Sequence, residues 1–197
     1  MTDMLEVLTT NPDLPGELIS GSLDYNLTVI DSLADIGSPK GEYMMVLEHT
    51  SSILPPVLRQ NLNLFMSNPL FRKMAMVSSV VNGFDNPEKV YGYFINNNLI
   101  YPSLKPSSNQ VYAVQIGYFY GAVIRTKVFR GLGHRLTGDA IQDSTLISLG
   151  LWNSGNRVYV NPSTTYITDY SDYNRLHHTE VSVLPKLAQT FRREQIR

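Results

Sequence analysis

The sequence predicts an α+β protein in which an N-terminal bundle or cap of short helices precedes a mostly antiparallel β-sheet and a short C-terminal helix. Three observations predict it. Proline-led segments with helical spacing fill the first half, and a break rich in proline and serine falls at residues 101–109. Beyond it, β-branched and aromatic residues alternate. The 197 residues are 43% hydrophobic and 17% charged, so the chain can bury a core in one compact unit and is too apolar for bulk disorder. Within that unit the reading separates an extended arm (1–22), a helical part (23–105) and a β-rich part (106–197).

Residues 1–22 carry Asn11, Pro12, Pro15, Gly16 and Gly21, turn formers that suit an arm laid over the surface. Leu23, Leu27, Ile30 and Ala34 recur at helical spacing and stop before Gly37 and Pro39, which reads as a short amphipathic helix. Residues 42–54 fit helix or strand, and the spacing leans to helix. Pro55-Pro56, Asn68-Pro69 and Asn86-Pro87 then open helices over about 56–66, 69–81 and 87–96, because proline at the first helical position loses no hydrogen bond.

From Val111 to Arg130 the alternation of Tyr112, Val114, Ile116, Tyr118, Tyr120 and Ile124 argues for strand. Twenty residues would span ~66 Å, far beyond an ordinary strand. The segment therefore bends at Gly117 or Gly121, or folds back as a long β-hairpin arm. A glycine-spaced loop follows at 131–139. Strands are expected at 145–152, 157–160, 164–168 and 179–184, and Pro185 starts the final helix, which carries Arg192 and Arg193.

Composition removes several function classes. No cysteine is present, which excludes disulfides, thiolate metal sites and cysteine nucleophiles. The first ten residues lack the basic start and apolar middle of a secretory signal, and no stretch reaches the ~20 apolar residues of a bilayer span. The expected setting is the cytoplasm or a virion, with no membrane partner. Charge is uneven: residues 1–100 hold five basic and eleven acidic side chains, residues 101–197 eleven basic and six acidic. The two halves attract each other within one fold, or meet between copies.

Motifs are weak. The loop Arg130-Gly131-Leu132-Gly133-His134-Arg135 sets backbone amides beside cations, and with Arg125 and Lys127 forms a candidate anion or nucleic-acid contact. Its spacing matches neither a dinucleotide fingerprint nor a P-loop. His178 and Glu180 would share one face of a strand as candidate metal ligands, although adjacent histidines more often make a solvated edge. Glu48 with His49, and His134 with Asp139, have no diagnostic spacing. Carboxylate pairs such as Asp139 with Asp143, or Asp169 with Asp172, suit acid and base work but also caps and turns. Tyr118, Phe119, Tyr120, Arg192 and Arg193 are the types enriched at interfaces.

These features lead to a non-enzymatic subunit of a larger symmetric complex, assembling with itself and with other subunits, such as a phage tail or head-tail connector component of a virion. No cofactor is expected. The alternatives are an anion- or nucleic-acid-binding module and a small hydrolase or transferase around His134 and Asp139.

Overall fold

A computed structural model of the chain describes residues 4–12, 25–48, 52–53, 55–67, 73–83, 89–96, 99–103 and 105–168. Its strands are β1 (Leu5–Thr9), β2 (Tyr25–Val29), β3 (Tyr43–Leu47), β4 (Ser52–Ile53), β5 (Met74–Gly83), β6 (Lys89–Val90), β7 (Tyr93–Asn96), β8 (Leu99–Pro102), β9 (Tyr112–Val114), β10 (Val123–Arg125) and β11 (Arg157–Thr168). Its helices are α1 (Pro55–Ser67), α2 (Thr126–Leu132) and α3 (Ala140–Asn153). Nine of the strands join one mixed sheet in the order β2-β1-β3-β10-β5-β11-β4, with β6 on β5 and β9 on β11; β7 and β8 form a separate hairpin.

The sheet corrects the expectation of a helical cap followed by an antiparallel sheet. β1 runs parallel to β2 and β3, β11 runs parallel to β5, and β10 lies antiparallel between β3 and β5. Strands buried on both faces read as unbroken apolar runs instead of alternating ones. All five residues of β3 are at most 4% exposed, and in β5 every side chain from Met74 to Val81 is buried. Such runs satisfy helical and extended templates equally, which is why 69–81 and 42–54 read as helices.

Other expectations shift for related reasons. Leu5–Thr9 of the supposed arm is an interior strand. Leu27 and Val29 belong to the edge strand β2, where they stay exposed, and a 3-10 turn at Leu33–Asp35, capped by Ser32, follows. The 87–96 region supplies β6 and the start of the hairpin. Pro55-Pro56 does open a helix, whose Leu58, Leu62 and Phe65 are buried. Residues 111–130 form neither one bent strand nor a hairpin arm, but β9, a crossing segment, β10 and part of α2.

The expected strand at 145–152 lies inside α3, where Asp139 caps the helix by accepting from the Ile141 and Gln142 amides at 3.0 and 2.9 Å. Ala140, Asp143, Ser144, Ile147, Ser148 and Leu151, one face of α3 at helical spacing, are all buried, and three of the six are polar, so that face does not read as an apolar stripe. The expected strand at 179–184 and the final helix lie outside the described residues. No described helix is long and apolar enough to cross a membrane.

β11 shifts register against β5 between Asn161 and Thr165, which leaves polar groups to satisfy inside the core. Asn61 of α1 meets them. It donates to Ser79 Oγ (3.0 Å), while its Oδ1 accepts from Asn161 Nδ2 (2.9 Å) and Thr164 Oγ1 (3.3 Å). The helix is thereby tied to the sheet by directional bonds as well as by apolar contact.

Candidate active site at the strand ends

The chain passes from β1 to β2 on one side and then to β3 on the other, so the direction of strand addition reverses between β1 and β3. In open sheets with parallel strands such a reversal leaves a crevice outside the carboxyl ends of the strands. Thr9 and Leu47 are in register across it. Glu48 follows at the lip of β3, and at the end of β1 the Asn11 amide donates to Thr9 Oγ1 (3.0 Å).

The crossing segment from Gln115 to Ala122 runs over the same end of the sheet, where the Gly121 amide donates to the Val46 carbonyl at 2.8 Å. Gly121 has φ of +71°, and a Cβ there would stand 2.3 Å from the Tyr166 ring, so only glycine lets ring and backbone meet. The segment is further fixed by Ser78, which donates to the Tyr118 carbonyl at 2.8 Å, and by Ser144, which accepts from the Phe119 amide at 2.9 Å.

Two carboxylates come into this frame. Glu48, half-buried, accepts from Tyr118 OH (3.1 and 3.2 Å), Tyr166 OH (3.1 Å) and Thr168 Oγ1 (2.8 Å). Asp143, fully buried in the first turn of α3, accepts from Tyr120 OH (2.7 Å), Thr137 N (2.9 Å), Thr137 Oγ1 (3.0 Å) and Gly138 N (3.1 Å), and His134 Nε2 lies 3.3 Å away. The helix N-terminus favours its negative charge.

The tyrosine rings connect the two. Tyr118 stands 6.3 Å from Tyr120 and 5.9 Å from Tyr166. Tyr120 is held well above the usual phenol range, first by burial, then by its hydrogen bond to Asp143 and by the charges of Asp143, Glu48 and Asp139. It therefore stays a neutral donor at any physiological pH.

The residues singled out by sequence take varied places. Tyr118, Phe119 and Tyr120 are buried in the site frame and do not form an exposed interface. Arg125 packs its guanidinium over the Tyr43 and Phe65 rings, 5.6 and 5.2 Å from their centroids, and donates Nε–H to the Met74 carbonyl at 2.9 Å. Lys127 and Arg130 are exposed on α2. Arg135 is exposed beside His134 on the loop whose Thr137 and Gly138 amides bind the chain's own Asp143. His178, Glu180, Arg192 and Arg193 lie outside the described residues.

Sequence reasoning paired Asp143 with Asp139 and Glu48 with His49, and did not bring Glu48 together with Tyr166 and Thr168 or Asp143 with Tyr120. The available signal was an acidic residue directly after the apolar run 43–47, and a second one in the first turn of a capped helix.

No family model matches the chain, and no curated protein matches it. Among solved structures it is similar to GalNAc-T7, crystallised with UDP, GalNAc and Mn2+. There the TM-score is 0.55 at 10% identity over 85% of this chain and 44% of that one. It is also similar to S. aureus TarS, with a TM-score of 0.50 at 8% identity over 86% of this chain and 37% of that one. The chain thus spans less than half the length of either, and what is shared is the fold. That likeness overturns the expected virion structural subunit, and with it the phage tail and connector assignments.

Proposed function

We propose that the chain is the nucleotide-sugar-binding part of a glycosyltransferase, with its donor site in the crevice between the ends of β1 and β3. The observation that carries the reading is Glu48, set at the topological switch point by three hydroxyl donors and joined through tyrosine rings to a second carboxylate, Asp143.

Glycosyl transfer joins an acceptor oxygen to the anomeric carbon as the bond from that carbon to the diphosphate oxygen breaks. The leaving diphosphate takes the electron pair, and a base takes the acceptor's proton. Both carboxylates accept several hydrogen bonds, but Asp143 is fully enclosed whereas Glu48 is half-buried at the crevice lip. Glu48 is therefore assigned the base, and Asp143 positions Tyr120 and the 134–138 loop.

The GalNAc-T7 structure holds Mn2+. Among the described residues of this chain no group of three His, Cys, Asp or Glu stands close enough to bind a metal. The described donor set does not fit a metal ion, and no step here runs through one.

The test is calorimetric binding of UDP, followed by release of UDP from UDP-sugars. UDP binding that saturates, together with turnover abolished by Glu48→Gln and retained by a folded Asp143→Asn, is the expected result. Absence of UDP binding would overturn the reading. Loss of turnover in a folded Asp143→Asn with retention in Glu48→Gln would move the base to Asp143.

A further inference from the structure

A concavity of about 480 Å3 lies between the β7–β8 hairpin and β9. The hairpin is held to the crossing segment by paired backbone bonds between Tyr93 and Ile116, at 2.8 and 3.1 Å. Gln115 reinforces the joint, its Oε1 accepting from the Ile95 amide at 2.6 Å, which leaves the Nε2 hydrogens for a ligand in the cleft it lines.

Phe94 and Tyr112 present aromatic surface from β7 and β9. Phe94 is 39% exposed and stacks on Tyr101, with centroids 5.5 Å apart and planes 22° from parallel. Tyr112 is anchored by donating its hydroxyl to the Tyr91 carbonyl at 2.7 Å. Asn96 and Ser103 add polar groups at the rim, and none of the described lining residues carries a charge.

We propose that this cleft binds a neutral saccharide, the acceptor for transfer at the strand-end site; the acceptor role rests on the function proposed above. Flat, exposed rings suit the apolar faces of a sugar ring, and amide and hydroxyl groups suit its hydroxyls. The lack of charge in the lining disfavours a diphosphate, a nucleic acid or a charged peptide, each of which needs cations or anions opposite it. Position agrees with the role. Gln115 and Tyr118 are three residues apart, hence at most ~11 Å between Cα atoms. The crossing segment thus links the cleft lining to the residue whose hydroxyl donates to Glu48.

The experiment uses the full chain and an array of neutral oligosaccharides, with hits measured by saturation-transfer NMR and calorimetry, and UDP titrated separately. Phe94→Ala and Asn96→Ala are made at exposed positions where the fold tolerates truncation. Saccharide binding weakened about tenfold in Phe94→Ala, with UDP affinity unchanged, is the expected result. No binding by any neutral saccharide, or binding by Phe94→Ala and Asn96→Ala equal to that of the unaltered chain, would overturn the cleft while leaving UDP binding to support the donor site. UDP affinity lost in Phe94→Ala would give the cleft to the nucleotide and overturn the proposal. Saccharide capture without UDP binding would overturn the acceptor role and the proposed function together.

Discussion

Glu48 and Asp143 are both acidic, and their surroundings divide their roles. Asp143 sits among backbone and hydroxyl donors with no solvent contact, so Asp143→Asn turns an amide N–H against a donor and leaves buried groups unpaired. A loss of about 1–3 kcal/mol in urea unfolding is expected. Glu48→Gln, at the half-exposed lip, is expected to lose about 1 kcal/mol or less by the same measurement while removing turnover. Equal stability losses would mean that the difference in enclosure has no energetic consequence.

At the scale of elements, the site depends on the crossing segment lying flat over the sheet. Gly121→Ala forces a Cβ into the Tyr166 ring from a left-handed backbone, at an expected cost of about 1–3 kcal/mol. Tyr166 must then move, so UDP affinity and turnover should fall along with the melting temperature. Gly131→Ala, in open space on α2, serves as the control: UDP affinity and turnover should stay unchanged and the melting temperature should not fall, since alanine favours helix over glycine.

The elements also show how far sequence reasoning reached. α1 was legible because Pro55-Pro56 announces its start. β11 was legible in pieces, as strands at 157–160 and 164–168, because Val158, Val160 and Tyr166 alternate with less buried neighbours; the register shift near Asn161 hid its continuity. β3 and β5 were not, since strands covered on both faces carry no period, and α3 was not, since its buried face carries Asp143, Ser144 and Ser148 among the apolar residues. The loop from Arg130 to Gly138 was noticed for its amides and cations. That its amides hold Asp143 could not be read locally, because the pairing depends on where α3 begins.

Across the molecule, burial raises the phenol of Tyr43, pushes Tyr112 up to about 12, and lifts Tyr120 further with the help of Asp143. A group whose pKa is raised by folding binds its proton more tightly in the native state. Its contribution is complete below the unfolded value of 10.0 and is lost as pH climbs above it. The protein should therefore lose stability steadily from pH 10 upward in denaturant titrations. Tyr120→Phe should be less stable at neutral pH but show a shallower alkaline decline. A decline of unchanged steepness would remove Tyr120 as a source.

The sheet order has a consequence for how the chain comes to be folded. β5 belongs to the first hundred residues, yet the two strands that flank it along the sheet, β10 and β11, are made later. While the chain emerges from the ribosome, β3 and β5 wait with a gap between them that only β10 fills, and β5's other edge stays open until β11 arrives. Folding is thus gated by the late strands and should be slow, as pairing over long sequence separations requires. A polypeptide cut at Lys105 should yield two pieces that are separately unstructured but regain the sheet's circular-dichroism signature when mixed. Independent folding of either piece would show that the interleaving is dispensable.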